Sequence, residues 1–323
     1  MAAQEARSGV DGSTHPESPP GASSPPAGPR RMRRLLAMLA PLPLAGCAGS
    51  IFDAKGPVGA AAGLIMINSV EIMLVIVVPT IIAILAFAWW FRSGNKRAVY
   101  LPEWAYSGRL ELIVWAIPIM VIIFLGGVIW IGAHDLDPRR PLSPLQKPLE
   151  VQVVSLDWKW LFIYPEEGIA SVNDLVLPAG VPVHFSLTSA SVMNAFFVPQ
   201  LGSMIATMNG MVTQLNLEAS HPGQFYGQST QFSGDGFSDM NFTVHALPPS
   251  QFARWVTQVQ QRGPDLDPAA YRTLQKQSLN VHPYTYRYVD PGLFSLIATR
   301  RIPPGGGYET GRGGISVHPR PEK

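Results

Sequence analysis

Hydrophobic and polar positions change rhythm three times along this chain. Between Leu64 and Ile131 two long apolar runs flank a short basic stretch. The first passes through Ile72-Met-Leu-Val-Ile-Val-Val-Pro79 to Phe91, and the second extends from Leu112 to about Ile131. At a rise of about 1.5 Å per residue, about 20 apolar residues cross the hydrocarbon layer of a bilayer. The runs therefore predict spanning helices over about 68–91 and 111–131. Pro79 should kink the first, and Trp89 and Trp90 fall where an interfacial aromatic belt is expected. Counting back from Phe91 puts Asn68 and Glu71 near the outer boundary.

From Leu149 the period falls to two. Val181-Pro-Val183-His-Phe185-Ser-Leu187-Thr188 alternates as a half-buried strand should, and Val151 to Trp160, Met211 to Leu217 and Asn241 to Ala246 read similarly. Short strands punctuated by Gly and Pro predict a β-sandwich or barrel ending near Leu247. A helical period follows. Ser250 reads as the N-cap of an amphipathic helix bearing Phe252, Trp255, Val256 and Val259, closed by Gly263-Pro264. Asp267-Pro268 and Asp290-Pro291 each read as a cap with proline at the first helical position. The expected architecture is membrane-anchored all-β: a transmembrane helical hairpin over 47–134, a β-domain over 149–247, and a helical C-terminal appendage over 250–300. That appendage is expected to pack on a partner or back on the β-domain.

Composition sharpens the ends of the chain. Its 31 Pro and 30 Gly gather toward both termini, so 1–31 and 301–323 are expected to be disordered. A net charge of +2 gives no reason to expect a nucleic-acid partner. The single cysteine, Cys47, rules out an intrachain disulfide and any Cys-rich zinc or iron–sulfur site. Ahead of it, Arg30-Arg31-Met32-Arg33-Arg34 precedes an apolar run, Leu35 to Leu44, that is too short to span a bilayer. Residues 32–46 therefore read as a secretory signal, with Met32 the expected start of translation. The run ends Leu44-Ala45-Gly46-Cys47, which resembles the lipobox of bacterial lipoproteins. That resemblance implies cleavage before Cys47, a diacylglycerol on its sulfur and a fatty acyl group, such as palmitate, on its new amine. In the loop between the spans, Arg92, Lys96, Arg97 and Arg109 face one acid, Glu103. Positive loops stay in the cytoplasm, which puts everything from His134 onward on the outer face, the side Cys47 must also reach.

Two spans followed by an outer β-domain resemble subunit II of the haem–copper respiratory oxidases, whose outer domain is a cupredoxin fold. The likeness runs from about Cys47 to Ala298. Tyr100-Leu-Pro-Glu-Trp104 and Glu111-Leu-Ile-Val-Trp115-Ala-Ile-Pro118 resemble the family's loop and second span. Asp157-Trp158-Lys-Trp160-Leu-Phe-Ile-Tyr164-Pro165 resembles its aromatic first strand. Ser191-Val-Met-Asn194-Ala-Phe-Phe-Val-Pro199-Gln-Leu-Gly202-Ser resembles the segment bearing the first copper histidine. In cytochrome c oxidases two Cys, two His, a Met and a backbone carbonyl hold a dinuclear copper centre. Matched to that pattern, the first His position is Asn194, the Cys positions are Ser229 and Ser233, the carbonyl-donating Glu is Gln231, and the second His is Phe237. Only Met240 survives, and a hard serine hydroxyl does not replace a soft bridging thiolate. The pattern is similar to that of the bo-type ubiquinol oxidases.

This resemblance implies a subunit of a proton-translocating oxidase that takes electrons from ubiquinol and reduces dioxygen to water. It implies no cofactor in this chain, with haems and copper in a partner subunit I, further small membrane subunits beside it, and a bacterial cytoplasmic membrane around it. Glu111 reads by itself as an interfacial charge that helps to end the helix. The resemblance implies instead a place at the mouth of a proton-uptake path, with Ser107 and Arg109 sharing its hydrogen bonds. His184, His221 and His245 read as solvated, and Trp158 and Trp160 as core or as contacts to a partner. Two other readings carry distinct signatures. A copper-bearing cytochrome c oxidase subunit predicts bound copper, and a stand-alone lipoprotein module predicts no haem-bearing companion.

Overall fold

The computed structural model describes residues 52–99 and 101–305. The expectations for 1–31, the signal at 32–46, Cys47, Tyr100 and the tail from 306 onward lie outside the described residues. Two antiparallel helices come first, α1 (Pro57–Trp90) and α2 (Gly108–Asp135), each long and apolar enough to cross a membrane. α2 extends past its expected bounds at both ends, and α1 begins eleven residues earlier than the span read from hydropathy. The reason lies above the apolar run. Pro57 suits the first helical position, and the start of α1 is seated on the β-domain, with Lys55 N–H donating to Gln200 O (2.7 Å) and Gly59 N–H to Leu201 O (3.0 Å). Any Cβ at Gly56 would lie 2.2 Å from the Glu218 carbonyl oxygen, so only glycine permits this approach.

Ten strands follow in order: β1 (Leu149–Leu156), β2 (Lys159–Tyr164), β3 (Ile169–Val172), β4 (Asp174–Pro178), β5 (Val183–Ser189), β6 (Asn194–Phe197), β7 (Ile205–Thr207), β8 (Thr213–Leu217), β9 (Gly223–Ser229) and β10 (Asn241–Leu247). The appendage contributes α3 (Pro249–Gln260), β11 (Asp265–Leu266), α4 (Pro268–Leu274), β12 (Tyr284–Tyr286), β13 (Tyr288–Val289) and α5 (Leu293–Ala298). One sheet runs β12-β3-β2-β1-β5-β8 and the other β4-β10-β9-β6-β7. β1 pairs with β5 in parallel, as β4 does with β10, while β1–β2, β5–β8 and β9–β10 are antiparallel. The expected sandwich is present.

Period-two patterning places the core. Leu149, Val151, Val153, Trp160, Phe162 and Tyr164 face inward between the sheets. The alternate residues Val154, Leu156, Leu161 and Ile163 face the other way, into a second core built with Tyr271, Leu274, Leu293, Phe294 and Ile297 of the appendage. Every residue of β2 is therefore buried. That explains its near-continuous apolar run, Trp160 to Tyr164, where a one-sided strand would alternate. Tyr164 is satisfied in the core: its hydroxyl donates to Val176 O (3.0 Å) and accepts from Val176 N–H (2.9 Å).

Several local expectations need correction. The strand expected over Val151 to Trp160 is a hairpin, Leu156 pairing with Lys159 across Asp157-Trp158, and Trp158 takes φ +65°. The last long strand, β10, ends at Leu247, and β12 of the appendage pairs with β3 and extends the first sheet beyond it. Pro249, not Ser250, opens α3, with Pro248 as its N-cap, since proline's fixed φ suits the first helical position. Asp267 does cap α4, accepting from Ala270 N–H (2.7 Å), but Asp290 accepts from Gly292 N–H (2.9 Å) in a turn and α5 starts only at Leu293. The appendage packs back on the β-domain, Phe252 and Trp255 lying 6.3 and 5.4 Å from the Tyr164 ring. Its end is packed as well: Ile302 is buried and Gly305 N–H donates to Ala190 O (3.0 Å).

Candidate functional site

The residues at the copper-ligand positions come from three places. β6 supplies Asn194, the end of β9 supplies Ser229, and the loop into β10 supplies Gln231, Ser233, Phe237 and Met240. Asn194 is fully buried, and the Ser229 hydroxyl lies 3.2 Å from its Oδ1 and 3.3 Å from the Gln231 carbonyl, two acceptors for one proton. Ser229 N–H donates to Met240 O (3.1 Å), and Ser233 Oγ reaches Met240 Sδ at 3.8 Å. Met240 is 1% exposed. Phe237 opens a 3-10 turn (Phe237–Asp239), and its ring rests on exposed Phe232 at 5.6 Å. Met240 N–H also donates to Phe237 O (3.1 Å), so hydrogen bonds join all six positions while the Phe237 ring stays in an apolar pair.

Trp158 anchors this loop. Its Nε1–H donates to Ser233 O (3.1 Å), and Gly236 lies flat on the indole, where a Cβ would sit 2.5 Å from Cγ. Trp160 packs edge-on to Phe196 and Phe242, both at 5.6 Å. Both tryptophans are core residues, one of the two roles expected for them. The donor set now gathered is hydroxyl, amide and one thioether, which does not fit a bridged copper pair needing soft anionic sulfur. Among the described residues, no cluster of three His, Cys, Asp or Glu could hold a metal ion.

Two of the three histidines expected to be solvated are instead partly covered and paired. His184 Nδ1 shares a hydrogen bond with Asn216 Oδ1 (3.0 Å), and His245 Nε2 lies 3.1 Å from Asp174 Oδ1, both imidazoles being partly buried. Burial raises the Asp174 carboxyl, and His245 draws it partly back. His221 is exposed. Glu111 stands in the first turn of α2, where the helix dipole favours a carboxylate, and its N–H donates to Ser107 O (3.0 Å). Its side chain is exposed, and among the described residues it shares no side-chain hydrogen bond with Ser107 or Arg109, contrary to expectation.

A buried polar group beside the loop went unread in the sequence. Lys159, 1% exposed, donates to Lys276 O and Ser278 Oγ of the appendage, each at 2.6 Å, and lines a cleft of about 490 Å³. The preceding Asp157 accepts from the Ser191 hydroxyl, while its Oδ2 is buried with no partner among the described residues. The available signal was a lone lysine between two tryptophans in an apolar strand. Burial pushes the Lys159 amine down to about 8, against a smaller upward pull from Asp157. Because the folded value lies below the unfolded one, the unfolded chain binds more protons between about pH 8 and 10.5. Stability should therefore rise with pH across that window. In urea titrations of the segment from Leu149 to Gly305, wild type should gain on Lys159→Met from pH 8 to 10. A pH-independent difference between the two would refute this.

Comparison with known proteins follows the same lines. The family model for the periplasmic domain of cytochrome c oxidase subunit II matches residues 166–247, and that for the COX aromatic-rich motif matches 260–305. Ubiquinol oxidase subunit 2 of Acetobacter aceti is 45% identical over 272 residues, 84% of this chain and 88% of that one. Cytochrome bo(3) ubiquinol oxidase subunit 2 of Pseudomonas aeruginosa is 44% identical over 274 residues, 85% of this chain and 83% of that one. The crystal structure of the periplasmic domain of subunit II of cytochrome oxidase from Bradyrhizobium japonicum is 25% identical, covers 35% of this chain and 94% of that one, and superposes with a TM-score of 0.34, too low to add to the assignment. With such identity maintained across more than 80% of both sequences, the chain belongs to the ubiquinol oxidase subunit 2 family.

Proposed function

We propose that this chain is the non-redox second subunit of a proton-translocating ubiquinol oxidase, lacking the dinuclear copper centre of its cytochrome c oxidase counterparts. The observation that carries the reading is the donor set of the Asn194–Met240 loop, where serine hydroxyls, an amide and an aromatic ring stand at the positions of thiolates and imidazoles. Electrons then enter the complex as ubiquinol, and haems and copper reside in subunit I. This chain contributes two membrane-spanning helices, a periplasmic cap and a lipid anchor at Cys47, in company with subunit I and small membrane subunits in the bacterial cytoplasmic membrane. Purification through the C-terminus should bring down a haem-bearing complex that consumes oxygen with a soluble quinol. Two coppers per isolated outer domain, or no haem in the purified material, would overturn the assignment.

Glu111 serves this complex as a proton-entry carboxylate. Its support is an exposed acid in the first turn of α2, at the end expected to face the cytoplasm, beside Arg109 and ahead of the apolar run Leu112 to Ile131. In Glu111→Ala, turnover should fall by about 10²-fold, the lower end of what a positioned proton-transfer group contributes, while haem content stays unchanged. Wild-type oxygen uptake by a fully assembled variant would remove the role.

A further inference from the structure

Lys159 is a buried cation without a close counter-ion. Among the described residues its Nζ donates to Lys276 O and Ser278 Oγ, both neutral and each at 2.6 Å. An ammonium has three protons to give, so one N–H is left over. The Asp157 carboxylate pulls on it only from beyond ion-pair distance and is itself engaged by the Ser191 hydroxyl. Holding a charge in a residue that is 1% exposed is costly while nothing beside it carries the opposite sign.

The amine lines the cleft between β2 and the appendage, whose volume of about 490 Å³ falls within the range of small-molecule sites. Leu274, Val281 and the rings of Tyr284 and Tyr286, which meet edge to face at 5.4 Å, give that cleft apolar walls. Asp265 also lines it, its carboxylate held by Arg287 at 2.8 Å, so a ligand with a second negative charge would be repelled. We propose that the cleft binds a small monocarboxylate with an apolar or aromatic body, its carboxylate accepting the third Lys159 N–H and its body lying against Leu274, Val281 and the tyrosine pair. The ligand then supplies the counter-ion that the fold leaves out.

Binding needs the charged amine, and burial lowers the unliganded amine to about 8. Affinity should therefore be level below that pH and fall about tenfold per pH unit above it. The other titratable groups around the amine are Asp157, Tyr271 of α4, Lys276, Asp265 with Arg287, and Tyr284 and Tyr286 of β12. Burial holds the Tyr271 and Tyr286 phenols above their ordinary value, and Arg287 holds Asp265 below its own, so these three keep their charge across that range. The test is fluorine NMR of 4-fluorobenzoate, with 4-fluorobenzyl alcohol as the uncharged probe, added to the detergent-solubilised full chain. The expected result is saturable broadening of the benzoate signal that weakens above about pH 8. Lys159→Met should weaken binding by about tenfold or more, the value of one hydrogen bond to a charged group. Thr273 lines the cleft at an exposed position, so Thr273→Trp should block binding while leaving Lys159 and the circular dichroism spectrum unchanged. Equal broadening in all three proteins, equal binding of the alcohol, or affinity that ignores pH would overturn the site.

Discussion

Grafting histidine at Asn194 and Phe237, cysteine at Ser229 and Ser233 and glutamate at Gln231 should give the outer domain the donors to take up a copper pair. The backbone for such a site is already in place. Asn194 and Ser229 are in hydrogen-bond contact at 3.2 Å, Ser233 reaches the buried Met240 thioether at 3.8 Å, and Trp158 pins the loop from beneath. What is absent is softness: two thiolates would replace two hydroxyls at nearly the same volume. Phe237 is the position that must move most, since its ring leans on Phe232, and a histidine there has to turn inward. Copper analysis with a visible absorption spectrum reads the result. A variant that folds, as judged by circular dichroism, yet binds no copper would show that the loop has drifted from metal-binding geometry. The donor chemistry would then be only half of the explanation.

The second large effect lies beneath that loop. Phe196 stacks on Phe242 at 5.2 Å with planes 16° apart, and its ring also meets Trp160 and Phe185 at 5.6 and 5.5 Å. It is fully buried and two residues from Asn194. Phe196→Ala should therefore cost about 3–5 kcal/mol, the range for emptying a large aromatic site in a core that collapses only partly. Tryptophan fluorescence during urea unfolding of the segment from Leu149 to Gly305 measures it. Phe196→Leu, which refills much of the volume, should cost clearly less. A loss below about 1 kcal/mol for the alanine variant would mean that the aromatic cluster does not hold the two sheets together.

Much of this architecture was legible because its residues obey one period at a time. Val183 to Thr188 alternates and is a strand; Phe252, Trp255, Val256 and Val259 repeat at helical spacing and line one face of α3. Failures occurred where two surfaces compete for the same residues. β2 is covered on both faces, so period two carries no sign that Lys159 is the buried link to the appendage. The hairpin at Asp157-Trp158 was invisible because tryptophan rarely adopts positive φ, and it does so here with its indole fixed by Ser233 and Gly236. The start of α1 escaped hydropathy counting because Val58 and Gly59 are seated against Gln200, Leu201 and Gly202, over 100 residues later. At the ligand positions the residue types were readable in advance. The hydrogen bonds that now bind them together were not, since a bond between β6 and β9 has no local signature.

The seating of α1 against Leu201 has a mechanical corollary. From Pro57 to Trp90 the helix measures about 51 Å, and its head is clamped to the sandwich with no intervening flexible joint. The cap therefore sits directly on the head of the stalk, held there by backbone hydrogen bonds. A companion protein that grips the stalk within the lipid meets the cap at a preset height and heading. Joining them requires no search over cap orientations, so little rotational freedom remains to be surrendered on assembly.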